Sequence, residues 1–123
     1  MGARVLIAED EANIAESLGF ILEREGHTVV KVPDGEAALL QLRKALPDLL
    51  ILDVMLPGLN GFEVLKAIKA DRRLAALPVI VLTARTQPRD REMAESIGAA
   101  AYLTKPFSNR DIVEHVRRLT AVR

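Results

Sequence analysis

Apolar residues fall along this chain in two alternating patterns. Short runs rich in β-branched residues and leucine occupy 4–9, 27–32, 48–53, 78–83 and 100–105, each about the length of a strand. Between them the apolar positions recur at helix spacing. Ile14, Leu18, Ile21 and Leu22 form the first such face, with Gly26 as its C-terminal stop. Ala38, Leu39 and Leu42 form the second, opened by Asp34-Gly35 and followed by Pro47. Val64, Leu65 and Ile68 mark the third, beginning near Gly61, and Met93, Ala94 and Ile97 the fourth, ended by Gly98. Ile112, Val113, Val116 and Leu119 mark the fifth. Ser108 leads it in, with Asp111 three residues on, an acidic form of the capping box.

The order is a strand–helix pair repeated five times, in one domain spanning 1–123. The first, third and fourth strands are apolar nearly throughout rather than alternating, which predicts parallel strands covered on both faces. Right-handed crossovers then give a three-layer α/β sandwich around a five-stranded parallel sheet. The stretch "AAAYL" would continue a helix on propensity, but Gly98 before it and Pro106 after it set it apart as the fifth strand.

In such a sheet, ligands bind beyond the carboxyl ends of the strands. Those ends carry Glu9-Asp10, Asp53, Thr83 and Lys105. Each has a structural reading as well: Asp10 at the start of the first helix is placed to cap it, and Thr83 to end a strand. Asp53 has no such reading, because its loop runs on through Pro57-Gly58 before the third helix begins. An acid at the end of an apolar strand is costly without a purpose, and a rigid platform that aims a nucleophile supplies one.

Composition changes this picture mainly by exclusion. Half of the residues are hydrophobic, enough for a proper core, and 17 basic residues balance 17 acidic ones. A general binder of nucleic acid or of membrane surfaces would show a basic excess. There is no cysteine, hence no disulfide or thiolate metal site. The N-terminal apolar run is too short for a signal peptide, and no stretch is long enough to span a bilayer. The expectation is a cytoplasmic, single-domain protein. His27 and His115 lie away from the predicted edge, and Gly58 and Gly61 match no nucleotide-binding fingerprint. The arginines at 85, 89 and 91, and those at 117, 118 and 123, read as solvated helix faces.

Charge makes the edge chemically specific. Two like charges ~4 Å apart repel by roughly 4 kcal/mol at an effective dielectric of 20. Three carboxylates facing one ammonium therefore take up protons or bind a hard cation. With oxygen ligands alone, Mg²⁺ or Mn²⁺ is favoured over zinc. Lys105 and the Thr83 hydroxyl facing that ion would complete a pocket for a phosphoryl group.

The segments "AED" near the start, "ILDVMLPGLNGFEVL", "VIVLTA" and "GAAAYLTKPF" together resemble the receiver domain of bacterial two-component response regulators, in order and over essentially the whole chain. The resemblance implies a flavodoxin-like (βα)5 fold with strand order 2-1-3-4-5. It implies that Asp53 accepts a phosphoryl group from a phosphohistidine of a sensor histidine kinase or phosphotransfer protein. Asp10 and Asp53 would bind Mg²⁺ directly, Glu9 through water, and the Met55 backbone carbonyl would be a further ligand. Lys105 would pair with a phosphate oxygen, and Thr83 with the Ala84 amide would hold another. Lys105-Pro106 is often cis in this family. Thr83 and Tyr102 would form the switch, moving the face made by the fourth helix, fifth strand and fifth helix toward an output protein or domain. Tyr102 also has a plain reading, as a tyrosine half-buried at a sheet edge.

The resemblance further implies a monomer or a phosphorylation-dependent homodimer, without direct nucleic-acid or membrane binding by this domain. Two departures stand out. Ala99, Ala100 and Ala101 replace the acid the family often has there, and Arg85 and Met55 stand at positions that tune phosphate lifetime. Two other classes compete. An aspartyl-phosphate-forming hydrolase would carry Asp-x-Asp, whereas Asp53-Val54-Met55 lacks the second acid. A receiver-like module acting only by binding usually lacks the acceptor, the acid pair or the lysine, and all are present here.

Overall fold

The computed structural model describes residues 2–84 and 87–121. Its elements run β1 (Arg4–Ala8), α1 (Ala12–Arg24), β2 (Thr28–Val32), α2 (Gly35–Lys44), β3 (Leu49–Leu52), α3 (Gly61–Ala70), β4 (Val79–Thr83), α4 (Pro88–Ile97), β5 (Ala101–Thr104) and α5 (Asn109–Thr120). All strands pair in parallel, in the order β2-β1-β3-β4-β5. This is the flavodoxin-like topology that the resemblance implies.

The continuous apolar strands are explained by two cores, one on each face of the sheet. Leu6, Ala8, Leu50, Leu52, Val79 and Val81 point toward α2, α3 and α4. Val5, Ile7, Leu49, Ile51, Ile80 and Leu82 point toward α1 and α5. A strand in such a sheet buries every side chain, so alternation disappears from its sequence.

The helix ends follow their capping residues. Asp34 accepts the Ala37 N–H at 2.7 Å, and Ser108 accepts the Asp111 N–H at 3.0 Å. Asn60 and Glu63 form a full capping box at the start of α3, which the sequence reading does not anticipate. Gly98 ends α4 at φ 124, in backbone territory that favours glycine.

One expectation needs correction, and one stretch adds burial beyond the expected elements. Met93 lies 44% exposed, so the buried face of α4 is set by Asp90 and Ala94 instead. One residue along a helix turns the side chain by about 100°, which separates Met93 from the covered stripe. Residues 71–77, which the apolar pattern assigns to no element, form a run of turns that buries Leu74 and Leu77. No helix among the described residues is long and apolar enough to cross a membrane.

Candidate functional site

Glu9, Asp53 and Lys105 stand one step past the strands they follow, Asp10 two steps past β1, and Thr83 is the last residue of β4. Ala8 pairs with both Leu52 and Val32 across the sheet. Backbone bonds then carry the order one residue further: Glu9 N–H to Val32 O at 3.1 Å, Asp53 N–H to Ala8 O at 3.1 Å, and Lys105 N–H to Thr83 O at 2.8 Å. The sheet therefore fixes the main chain of Glu9, Asp53 and Lys105. The connection after β1 leads to β2 on one side and that after β3 leads to β4 on the other, so the crevice opens between Glu9 and Asp53.

The side chains converge as the sequence predicts. Lys105 Nζ lies 2.8 Å from Glu9 Oε1 and 2.9 Å from Asp53 Oδ2. Glu9 and Asp53 are both only 4% exposed. Asp53 Oδ1 accepts the Met55 N–H at 2.9 Å, so each oxygen of this carboxylate has a fixed partner. Asp10 is exposed, and it does not cap α1: Glu11 is the N-cap residue, with no side-chain cap bond. Asp10 joins the site instead. Carboxylate oxygens of Glu9, Asp10 and Asp53 lie within 4.8 Å of one another. Hard oxygen donors gathered in this way suit a small divalent cation such as Mg²⁺.

Electrostatics follows from burial. Burial raises Glu9 to about 7; hydrogen bonds from Lys105 and the Glu11 N–H work against this, and the Asp53 charge adds to it. Burial pulls Lys105 down, but its bonds to Glu9 and Asp53 more than offset this and hold the ammonium above its ordinary value. The cluster is an acid pair that wants either a proton or more positive charge.

The remaining sequence candidates are also placed. Thr83 is fully buried at the end of β4 and Ala84 is exposed just beyond it. The Lys105-Pro106 bond is cis. Tyr102 is 5% exposed and belongs to the core on the α4 side, not half-buried at an edge. Arg91, read from sequence as solvated, reaches over its ring at 5.4 Å from the centroid and donates to the Tyr102 carbonyl at 2.8 Å. Arg85 and Arg123 lie outside the described residues. His27 accepts the Ala3 N–H and His115 meets Arg118, both away from the site.

One residue of the site was missed. Glu11 Oε1 stands 3.3 Å from Lys105 Nζ, a third carboxylate on the same ammonium. Its signal in the sequence is the unbroken acidic run Glu9-Asp10-Glu11 opposite a single lysine.

Comparison with known proteins fits this geometry. The family model for the response regulator receiver domain matches residues 5–117. The chain is 40% identical over 117 residues to the phosphate regulon transcriptional regulatory protein PhoB of Escherichia coli (strain K12), covering 95% of this chain and 51% of that protein. It thus spans about half the length of that curated relative. Among solved structures it is similar to the signal receiver domain of a signal transduction histidine kinase from Syntrophus aciditrophicus, with a TM-score of 0.91 and 35% identity, covering 98% of this chain and 91% of that one. It is also similar to the chemotaxis protein CheY4 of Vibrio cholerae, with a TM-score of 0.90 and 30% identity over 97% and 99% of the two chains.

Proposed function

The chain belongs to the response regulator receiver domain family, and from that premise we propose that it is a phosphoacceptor switch with Asp53 as the acceptor. A carboxylate oxygen of Asp53 bonds to the phosphorus of a phosphohistidine on a sensor histidine kinase or phosphotransfer protein. The P–N bond breaks as the O–P bond forms, and the bonding pair stays with the imidazole nitrogen. The observation that carries this reading is the ammonium of Lys105 at 2.9 Å from the Asp53 carboxylate, inside a group of acids that fits a divalent ion. Phosphoryl transfer needs placement and charge neutralisation more than covalent chemistry from the protein.

Each group has a part in that placement. The Met55 N–H holds one Asp53 oxygen and Lys105 the other, so the nucleophile is oriented before a donor arrives. Lys105 would turn to an oxygen of the transferred group, and the Thr83 hydroxyl and Ala84 amide would take others. Glu9, Asp10, Asp53 and the Met55 carbonyl would hold Mg²⁺, which when bound neutralises charge on the phosphoryl group. Movement of Thr83 would be read by Tyr102 and passed to the α4–β5–α5 face, where an output protein or domain binds. A shift between two states separated by a few kcal/mol is enough for this.

The test is incubation with acetyl phosphate and Mg²⁺ followed by intact mass measurement. One added phosphoryl group is expected, lost in Asp53→Asn and in EDTA. Equal labelling of Asp53→Asn would overturn the assignment of the acceptor. Rapid multiple turnover of varied phosphoesters would instead mark a hydrolase.

A further inference from the structure

Resting on the phosphoacceptor reading, we propose that Glu11 is a positioning residue that restrains Lys105 in the resting site and sets how readily the amine turns to a phosphoryl group on Asp53. An ammonium has three N–H donors. Lys105 Nζ has three carboxylate partners, Glu9 at 2.8 Å, Asp53 at 2.9 Å and Glu11 at 3.3 Å. Its donors are therefore fully used before any phosphoryl group is present, and one bond must be exchanged when it arrives.

The three bonds differ in how easily they are given up. Glu9 and Asp53 side chains are only 2% and 4% exposed, so leaving either without its ammonium strands a buried carboxylate. The Glu11 side chain is 63% exposed, so water replaces the lost partner at once. Its bond is also the longest of the three. Glu11 is thus the partner that Lys105 releases, and its tether opposes that release. Its charge, placed beside the acceptor, also repels an incoming anionic donor. Both effects slow phosphoryl uptake, and both depend on the carboxylate of Glu11 rather than on the fold. Glu11 is exposed and makes no side-chain cap for α1.

The test compares Glu11→Gln with Glu16→Gln, which removes an exposed acid farther along α1. Two measurements are made. The first is the side-chain ¹⁵N resonance of Lys105 in metal-free protein, assigned by its loss in Lys105→Arg. The second is the rate of labelling by acetyl phosphate with Mg²⁺. In Glu11→Gln the resonance should move and the rate should rise about two- to fivefold, the range an exposed ion pair spans; in Glu16→Gln neither should change. A stationary Lys105 resonance in Glu11→Gln overturns the proposal, even with a faster rate, since charge alone would then explain it. A moved resonance with an unchanged or slower rate overturns it too. If wild-type protein takes no phosphoryl group at all, the acceptor reading fails, and the resonance alone decides whether Glu11 tethers Lys105.

Discussion

At Lys105 one ammonium faces two buried carboxylates, and taking it away leaves both without a counter-charge. Breaking a buried pair by removing one partner costs far more than the pair contributes, because the remaining charge is stranded. Lys105→Met should therefore destabilise the metal-free protein by about 3 kcal/mol, seen as a lower urea midpoint in EDTA. Adding Glu9→Gln should recover part of the loss; full stability in Lys105→Met alone would mean that water already screens these acids. Gly61 matters for a different reason. A Cβ there would lie 2.4 Å from the Asp53 carbonyl oxygen and 2.6 Å from Val54 Cα, so only glycine lets α3 start against the acceptor's own backbone. Gly61→Ala should cost about 1–3 kcal/mol by thermal unfolding and slow labelling of Asp53, because the loop must shift. A variant as stable and as reactive as wild type would show that the contact relaxes freely.

Helices and strands show why much of the site, but not all of it, was legible in the sequence. Strand ends are legible because apolar runs stop abruptly at polar residues, and a parallel sheet brings all such stops to one edge. That placed Glu9, Asp10, Asp53, Thr83 and Lys105 together before any coordinates. Contacts that depend on how long side chains bend are not legible. Nothing in the position of Glu11 along the chain tells that Lys105 reaches it. Arg91 looked equally solvated, yet α4 lays it across Tyr102 of β5. Periodicity likewise put Met93 on the covered face, because a short, polar helix constrains the phase of its apolar stripe weakly. The Arg91 contact is testable because Tyr102 is the only tyrosine and the chain has no tryptophan. Arg91→Ala removes a cation–π contact and a carbonyl hydrogen bond, a loss of about 1 kcal/mol. Tyrosine fluorescence should become more accessible to acrylamide quenching, while the labelling stoichiometry at Asp53 stays the same. Unchanged quenching would mean that the core alone holds the ring.

The whole molecule carries the cost of the buried acids as a dependence of stability on pH. Glu9 is raised from 4.5 to about 7, chiefly by burial. Between those values the folded protein keeps a proton that the unfolded chain has released. Stability falls with rising pH wherever the folded state binds more protons, so this group makes the metal-free protein less stable as pH climbs from 4.5 toward 7, and no further above it. Lys105 does not act in this window, because its raised value lies on the alkaline side. The Glu9 contribution is on the order of 3 kcal/mol across the window. Other carboxylates titrate nearby, so the clean measurement is a difference. Urea unfolding of wild type and Glu9→Gln is followed in EDTA at steps between pH 4.5 and 8. Wild type should lose stability relative to the variant up to about pH 7 and then run parallel to it. Saturating Mg²⁺ should abolish the relative loss, because an ion held by carboxylates requires them ionised. A flat difference in EDTA would show that water reaches Glu9 despite its burial. A fold that places two buried acids beside one lysine would then store no charge for a cation to relieve, and crowding would give metal binding no driving force.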